Sequence, residues 1–191
     1  MAVYTPVDRD DLTALLARYD HGSLRSAKGI AEGVQNSNYL VETDRDRFIL
    51  TLFEHQVDAA DLPFFVGLLD HLAAAGLPVP RMLADREGVV VQSVAGRPAC
   101  LIPFLEGVSV TEPTPAECEA VGEALGRLHV AAAGHAAARP NALGAAKWRA
   151  LADSCGDLDR IAPGLAGDVA AALDTVDAGW PTGLPHHVIH A

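Results

Sequence analysis

Lysine is nearly missing from this chain. Only Lys28 and Lys147 stand among its 14 basic residues, against 25 acids, so the net charge is −11 and the pI is near 5.0. A surface this acidic is repelled by nucleic-acid backbones and by anionic lipid, and neither is expected as a partner. Cysteine is scarce as well. Cys100, Cys118 and Cys155 lie far apart without metal-ligand spacing, which leaves reduced thiols in the cytoplasm as the expectation. No apolar run approaches the roughly 20 residues of a membrane span, and the N-terminus lacks a basic segment followed by an apolar one. Internal repeats and low-complexity linkers are absent too. What remains is globular: half of the 191 residues are apolar, 20% are charged, and mean hydropathy is +0.18. Such a length makes one domain or two small lobes, burying roughly 70% of the unfolded surface.

Thr5-Pro6-Val7-Asp8 has the form of a helix start, with Thr5 as N-cap and proline in the first turn; Leu12, Leu15, Leu16 and Tyr19 follow at helical spacing. Strands are predicted at Leu24–Ile30, Asn38–Thr43 and Arg47–Phe53, the last two joined by the polar turn Asp44-Arg45-Asp46. A helix over Asp58–Ala75, capped by Asp58 or Asp61, presents Phe65, Leu68, Leu69 and Leu72 as its buried stripe. Val89–Val91 and Ala99–Phe104 complete five strands, with a turn at Ala95-Gly96-Arg97-Pro98. Thr114-Pro115-Ala116-Glu117 is a capping box opening a long helix with Cys118, Val121, Leu125 and Leu128 inward. Gly122 and Gly126 on it form a small-xxx-small pair suited to helix packing. Weaker helices follow around Ala145–Ser154 and Leu165–Ala178, and Pro185–Ala191 begins an apolar strand.

Between the first two strands lies Ala31-Glu32-Gly33-Val34-Gln35-Asn36-Ser37-Asn38, a small polar loop. Glycine there allows a positive φ and outward-facing N–H groups that can hold phosphate oxygens. An ordinary meander, its turn stabilised by Asn and Ser side chains, accounts for the same residues. GIAEGVQNSNYLVET, RFILTLFE, LPFFVGLLDHLAAAGLPVP, GRPACLIPFLEG and RPNALG, in that order, resemble the homoserine kinases of the aminoglycoside-phosphotransferase-like superfamily, from about Tyr4 to the last residue. The resemblance implies an α+β, protein-kinase-like fold: a five-stranded antiparallel nucleotide lobe with one helix over residues 1–104, then a hinge and an incomplete helical lobe over 105–191. It implies transfer of the ATP γ-phosphoryl group to the hydroxyl of homoserine, with Mg²⁺.

On that resemblance Gly33, Asn36, Ser37 and Asn38 cover the nucleotide phosphates, and the Pro103 carbonyl and Leu105 amide meet adenine at the hinge. Thr51 stands on the third strand where kinases broadly carry a phosphate-binding lysine, with Ile49 and Phe53 on its face. Mg²⁺, the loop amides, Lys28 and His55 are the candidates to neutralise the phosphates instead. His129 on the long helix reads as a core histidine satisfied by a backbone carbonyl. His186 and His190 are ~13 Å apart on an extended chain, too far to share a metal. In the family, the strand ending at His190 leads into the catalytic Asp and a Mg²⁺-binding Asn, both expected after Ala191, so no catalytic or metal-binding residue is expected within the chain. Incomplete packing of the second lobe is expected to leave Leu125, Leu128, Val169, Leu173 and Val188 too exposed for their type. A kinase of another small hydroxylated acceptor, such as an aminoglycoside or choline, and a non-catalytic nucleotide-binding module are the competing readings.

Overall fold

The computed structural model describes residues 4–31, 35–54, 58–141, 143–184 and 187–189. It forms two compact units, residues 1–137 with 188–191 and residues 138–187. The first unit holds α1 (Arg9–Leu16), β1 (Leu24–Gly29), β2 (Asn36–Thr43), β3 (Arg47–Phe53), α2 (Leu62–Ala74), β4 (Gln92–Val94), β5 (Arg97–Pro103) and α3 (Pro115–Ala132). The strands make one sheet, ordered β1-β2-β3-β5-β4, with every neighbouring pair antiparallel. The five-stranded sheet expected from the sequence is therefore present.

β3 is central because its run of aromatic and branched residues can be covered on both faces. On one face Phe48, Leu50 and Leu52 join Tyr39 and Val41 of β2 and Ala99 and Leu101 of β5, closed over by Leu12, Leu15, Leu16 and Tyr19 from α1 and its C-terminal end. On the other face Phe53 and Cys100 pack with Leu62 of α2, with Met82, Val90 and Val91 alongside. Leu62 and Leu72 are the buried residues of α2, whereas Phe65, Leu68 and Leu69 of the expected stripe are only half-buried. Much of that helix is turned toward α3 instead: His71 Nε2 lies 2.9 Å from the Ala131 carbonyl, and the His135 ring sits between those of His71 and Phe64.

Several boundaries differ from expectation, each for a visible reason. Asp8, not Thr5, caps α1, through a capping box with Asp11. Thr5 does not cap because its hydroxyl donates to Glu54 at 3.0 Å, 49 residues away. Asp58 caps a 3₁₀ turn at Ala59–Asp61, and α2 begins only at Leu62, without a capping bond from Asp61. Val89–Val91 is not a strand. The Asp85 carboxylate accepts from Val89 N and Glu87 N and folds this stretch into a turn, so β4 starts at Gln92. The β4–β5 connection is the two-residue turn Ala95-Gly96, both at positive φ (48° and 74°), which matches the strand twist; Arg97 and Pro98 belong to β5.

The Thr114–Glu117 capping box opens α3 as expected, with Thr114 N donating to Glu117 at 2.7 Å. Its inward face is not as expected. Cys118 and Val121 are exposed, Leu125 and Leu128 are half-buried, and only Ala132 is buried. The last turn of the helix meets α2, where the Ala131 carbonyl lies 2.9 Å from His71 Nε2. A Cβ at Gly122 or Gly126 would meet nothing within 4 Å, so the small-xxx-small pair packs against no described element. Val169, Leu173 and Val188 are half-buried as well, and the most exposed apolar side chains are others, Val108, Val130 and Ile161 among them. Residues 187–189 are not a strand.

The second unit contains α4 (Trp148–Ser154) and α5 (Leu165–Gly179). Arg149 forks onto Asp174 and Asp177 at 2.7 and 2.8 Å, and the Trp148 and Trp180 rings meet edge to face.

Candidate active site

β2 alternates strictly, so its odd- and even-numbered residues serve opposite faces of the sheet. Asn36 and Asn38 share a face with their β3 partners Phe53 and Thr51. Thr51 is 8% exposed and donates its hydroxyl to Asn38 Oδ1 at 2.8 Å; its β5 partner is Cys100. Asn36 adds a buried Oδ1 that has no hydrogen-bond partner among the described residues. A buried acceptor without a partner is costly, and such groups concentrate where a ligand completes the bonding. Three polar side chains thus share one end of this sheet face. Gly33 lies outside the described residues, as do His55, His186 and His190.

Ser37 belongs to the other face. It is fully buried, and its hydroxyl donates to Glu54 Oε1 at 2.7 Å while accepting from Tyr4 N and Thr5 N. Its side chain is committed there and does not join Asn36, Asn38 and Thr51. Glu54, absent from the sequence expectations, gathers Ser37, Thr5 and Arg97, the last at 3.2 Å. No local pattern marked Glu54. The parity of β2 separates Ser37 from both asparagines, a signal that becomes readable only once Asn36–Asn38 are known to belong to the strand.

At the end of β5, Phe104 N donates to the Arg47 carbonyl at 3.0 Å, and the Arg47 guanidinium lies 4.5 Å over the Phe104 ring. Phe104 thus faces β3. By alternation, Pro103 and Leu105 turn their backbone groups to the opposite side, on which the Leu101 carbonyl accepts from Leu83 N at 2.8 Å. Leu105 itself is exposed. A cleft of about 600 Å³ beside the β2–β3 turn touches Pro103 but none of Asn36, Asn38 and Thr51. Arg47 and Glu106 within it pair with each other at 2.6 Å, and Arg45 with the Asp20 carbonyl. The polar group on the β2–β3 face, with the unpartnered Asn36 Oδ1 beside the Asn38–Thr51 pair, is the better candidate.

Lys28 lies on β1 with Leu40 of β2 as its partner, which puts it two strands from Thr51 on the same face of the sheet as Asn38 and Thr51. His129 Nε2 is buried and has no hydrogen-bond partner among the described residues, contrary to expectation; the imidazole that meets a carbonyl is His71. Among the described residues no cluster of three or more His, Cys, Asp or Glu side chains could hold a metal, and no helix is long and apolar enough to cross a membrane.

A twisted antiparallel sheet of five strands, one helix between β3 and β4, and an extended exit from β5 into helices define a protein-kinase-like α+β fold. Solved structures agree. A spectinomycin phosphotransferase in complex with ADP and spectinomycin superposes with a TM-score of 0.66 over 95% of this chain and 60% of that one, at 15% identity. For a putative fructosamine-3-kinase from Thermobifida fusca the TM-score is 0.55, over 96% and 67%, at 19% identity. The chain belongs to the phosphotransferase enzyme family, whose model matches residues 26–191. Among curated relatives, homoserine kinases of Xanthobacter autotrophicus and Rhizobium etli are 52% and 50% identical over the whole chain, and that of Rhodospirillum rubrum is 48% identical. The chain spans 60% of the length of each.

Proposed function

We propose that the protein is an ATP-dependent kinase that phosphorylates the hydroxyl of L-homoserine, the step that commits this amino acid toward threonine. The carrying observation is the sustained identity of about half to homoserine kinases along all 191 residues. ATP fits the polar face of β2 and β3. The Asn36 Oδ1 has an unmet need for a donor, which water bound with the nucleotide supplies, and the Asn38–Thr51 pair stands where kinases broadly use lysine. Gly33 and Ser37 contribute through the backbone at the phosphates, and the outward Pro103 carbonyl and Leu105 amide hold the adenine edge. Residues 1–104 then form the nucleotide lobe and 105–191 the hinge and the start of the helical lobe. With threonine in place of lysine on β3, charge at the phosphates is balanced by Mg²⁺ and backbone dipoles, with the metal's protein ligands outside the described residues. The substrate is a small molecule, and the setting is the cytoplasm.

The test compares kcat/KM for homoserine, choline and an aminoglycoside, using enzyme with the full length of the relatives and following ADP release. Homoserine is expected to lead by orders of magnitude. A lead by either other acceptor overturns the assignment. The 191-residue chain alone is expected to bind ADP weakly and to transfer no phosphate, and turnover above the no-enzyme rate would refute that.

A further inference from the structure

The segment before α1 forms a strap along the start of β2. Ser37 Oγ accepts from Tyr4 N at 2.8 Å and Thr5 N at 3.1 Å. The Tyr39 hydroxyl donates to the Thr5 carbonyl at 2.8 Å and accepts from Val7 N at 3.1 Å. Thr5 Oγ1 and Ser37 Oγ each donate to one oxygen of Glu54, which is 8% exposed. A buried carboxylate is a poor device for stability alone, since well-packed apolar residues of similar volume often do as well. It does fix one geometry, because each of its oxygens has an assigned donor.

That geometry has a specific neighbour. Ser37 stands between Asn36 and Asn38 in sequence, and the strand's alternation turns those two to the face of Thr51. Whatever clamps Ser37 from one side sets the backbone that aims both asparagines on the other. We propose that the strap Tyr4–Val7, locked through Ser37 and Glu54, is a positioning element for the nucleotide, holding Asn36 and Asn38 at the angle that ATP requires. Ser37 and Glu54 are then positioning residues and do not touch ATP through their side chains. This inference rests on the nucleotide reading given above.

The experiment uses the full-length enzyme and three variants. Thr5→Val removes the hydroxyl bond to Glu54 at constant shape, Thr5→Ser restores it, and Leu16→Ala loosens the core under α1 without removing any hydrogen bond of the strap. For Thr5→Val the KM for ATP and the Kd for ADP are expected to rise about five-fold, the effect of one lost hydrogen bond. The acceptor KM should hold, Thr5→Ser should recover the wild-type values, and Leu16→Ala should lower thermal stability without moving the KM for ATP. An unchanged KM for ATP in Thr5→Val, or an equal rise in Leu16→Ala, overturns the positioning role. Wild-type enzyme that binds no ADP at millimolar concentration overturns the nucleotide reading itself, and the positioning role with it.

Discussion

Replacing Thr51 by valine tests the candidate site with almost no change of shape. Thr51 is 8% exposed, and its hydroxyl is the donor to Asn38 Oδ1 at 2.8 Å. Valine fills the same volume but leaves the asparagine oxygen without that donor. Asn38 is half-buried, so water recovers part of the loss, and the cost should be about 1 kcal/mol. For a chain of this size that lowers the thermal midpoint by roughly 2–4 °C. The comparison that isolates the bond is a double-mutant cycle with Asn38→Ala, read by urea unfolding and by ADP titration. The two single variants should each lose stability, and the double variant should lose less than their sum, by about the worth of one hydrogen bond. If Thr51 and Asn38 act on nucleotide as a pair, the same non-additivity appears in the ADP dissociation constant. Full additivity in both measurements would refute the reasoning, because the two side chains would then act independently.

Three further outcomes are expected. Leu50 is fully buried at the centre of the sheet, so Leu50→Ala should cost about 3 kcal/mol in urea unfolding, and a loss under 1 kcal/mol would contradict its place in the core. Burial pushes the Cys100 thiol up to about 12, while Cys118 and Cys155 are exposed. A thiol reagent at pH 8 should therefore modify two cysteines in the folded protein and the third only after unfolding. Burial works to raise the Asp85 pKa, but bonds from Val89 N, Gln92, Glu87 N and Arg18 prevail and hold it below the usual carboxylate range. The stabilisation this carboxylate contributes is complete above the unfolded value near 3.9 and is lost as the pH falls through the lower folded value. Asp85→Asn should accordingly have a lower urea midpoint than wild type at pH 7, with the gap closing in acid; a constant gap would show that Asp85 acts through shape alone.

What the sequence revealed depends on how far each interaction reaches along the chain. The capping box at Thr114 involves residues three apart and was legible. Strands β2 and β3 were legible because alternation and branched side chains are local signals. The cap at Thr5 was misread because its hydroxyl is taken by Glu54, 49 residues on, and nothing nearby announces that competition. Val89–Val91 has strand composition, yet one carboxylate four residues back claims its first amide. In the site, the shared face of Thr51 and Asn38 follows from a period of two, given the register of β2 on β3. The same period excludes the Ser37 side chain from that face. Grouping residues 33–38 as one loop hid this, because Asn36–Asn38 already belong to a strand.

β1 is one rim of the sheet, with β2 as its one strand partner among the described residues, and five of its six residues are exposed. A bare rim is a template for another strand, and charged side chains, lysine above all, are the usual guard against such addition. Here that guard is Arg25 and Lys28. Lys28 is one of only two lysines in the sequence, so reagents that acylate amines have few side chains to choose from. Amine-directed labelling falls to a large extent on this rim and strips a positive charge from it, favouring strand-to-strand association between copies. Maleimide chemistry at Cys118 or Cys155 labels the protein with the rim still charged.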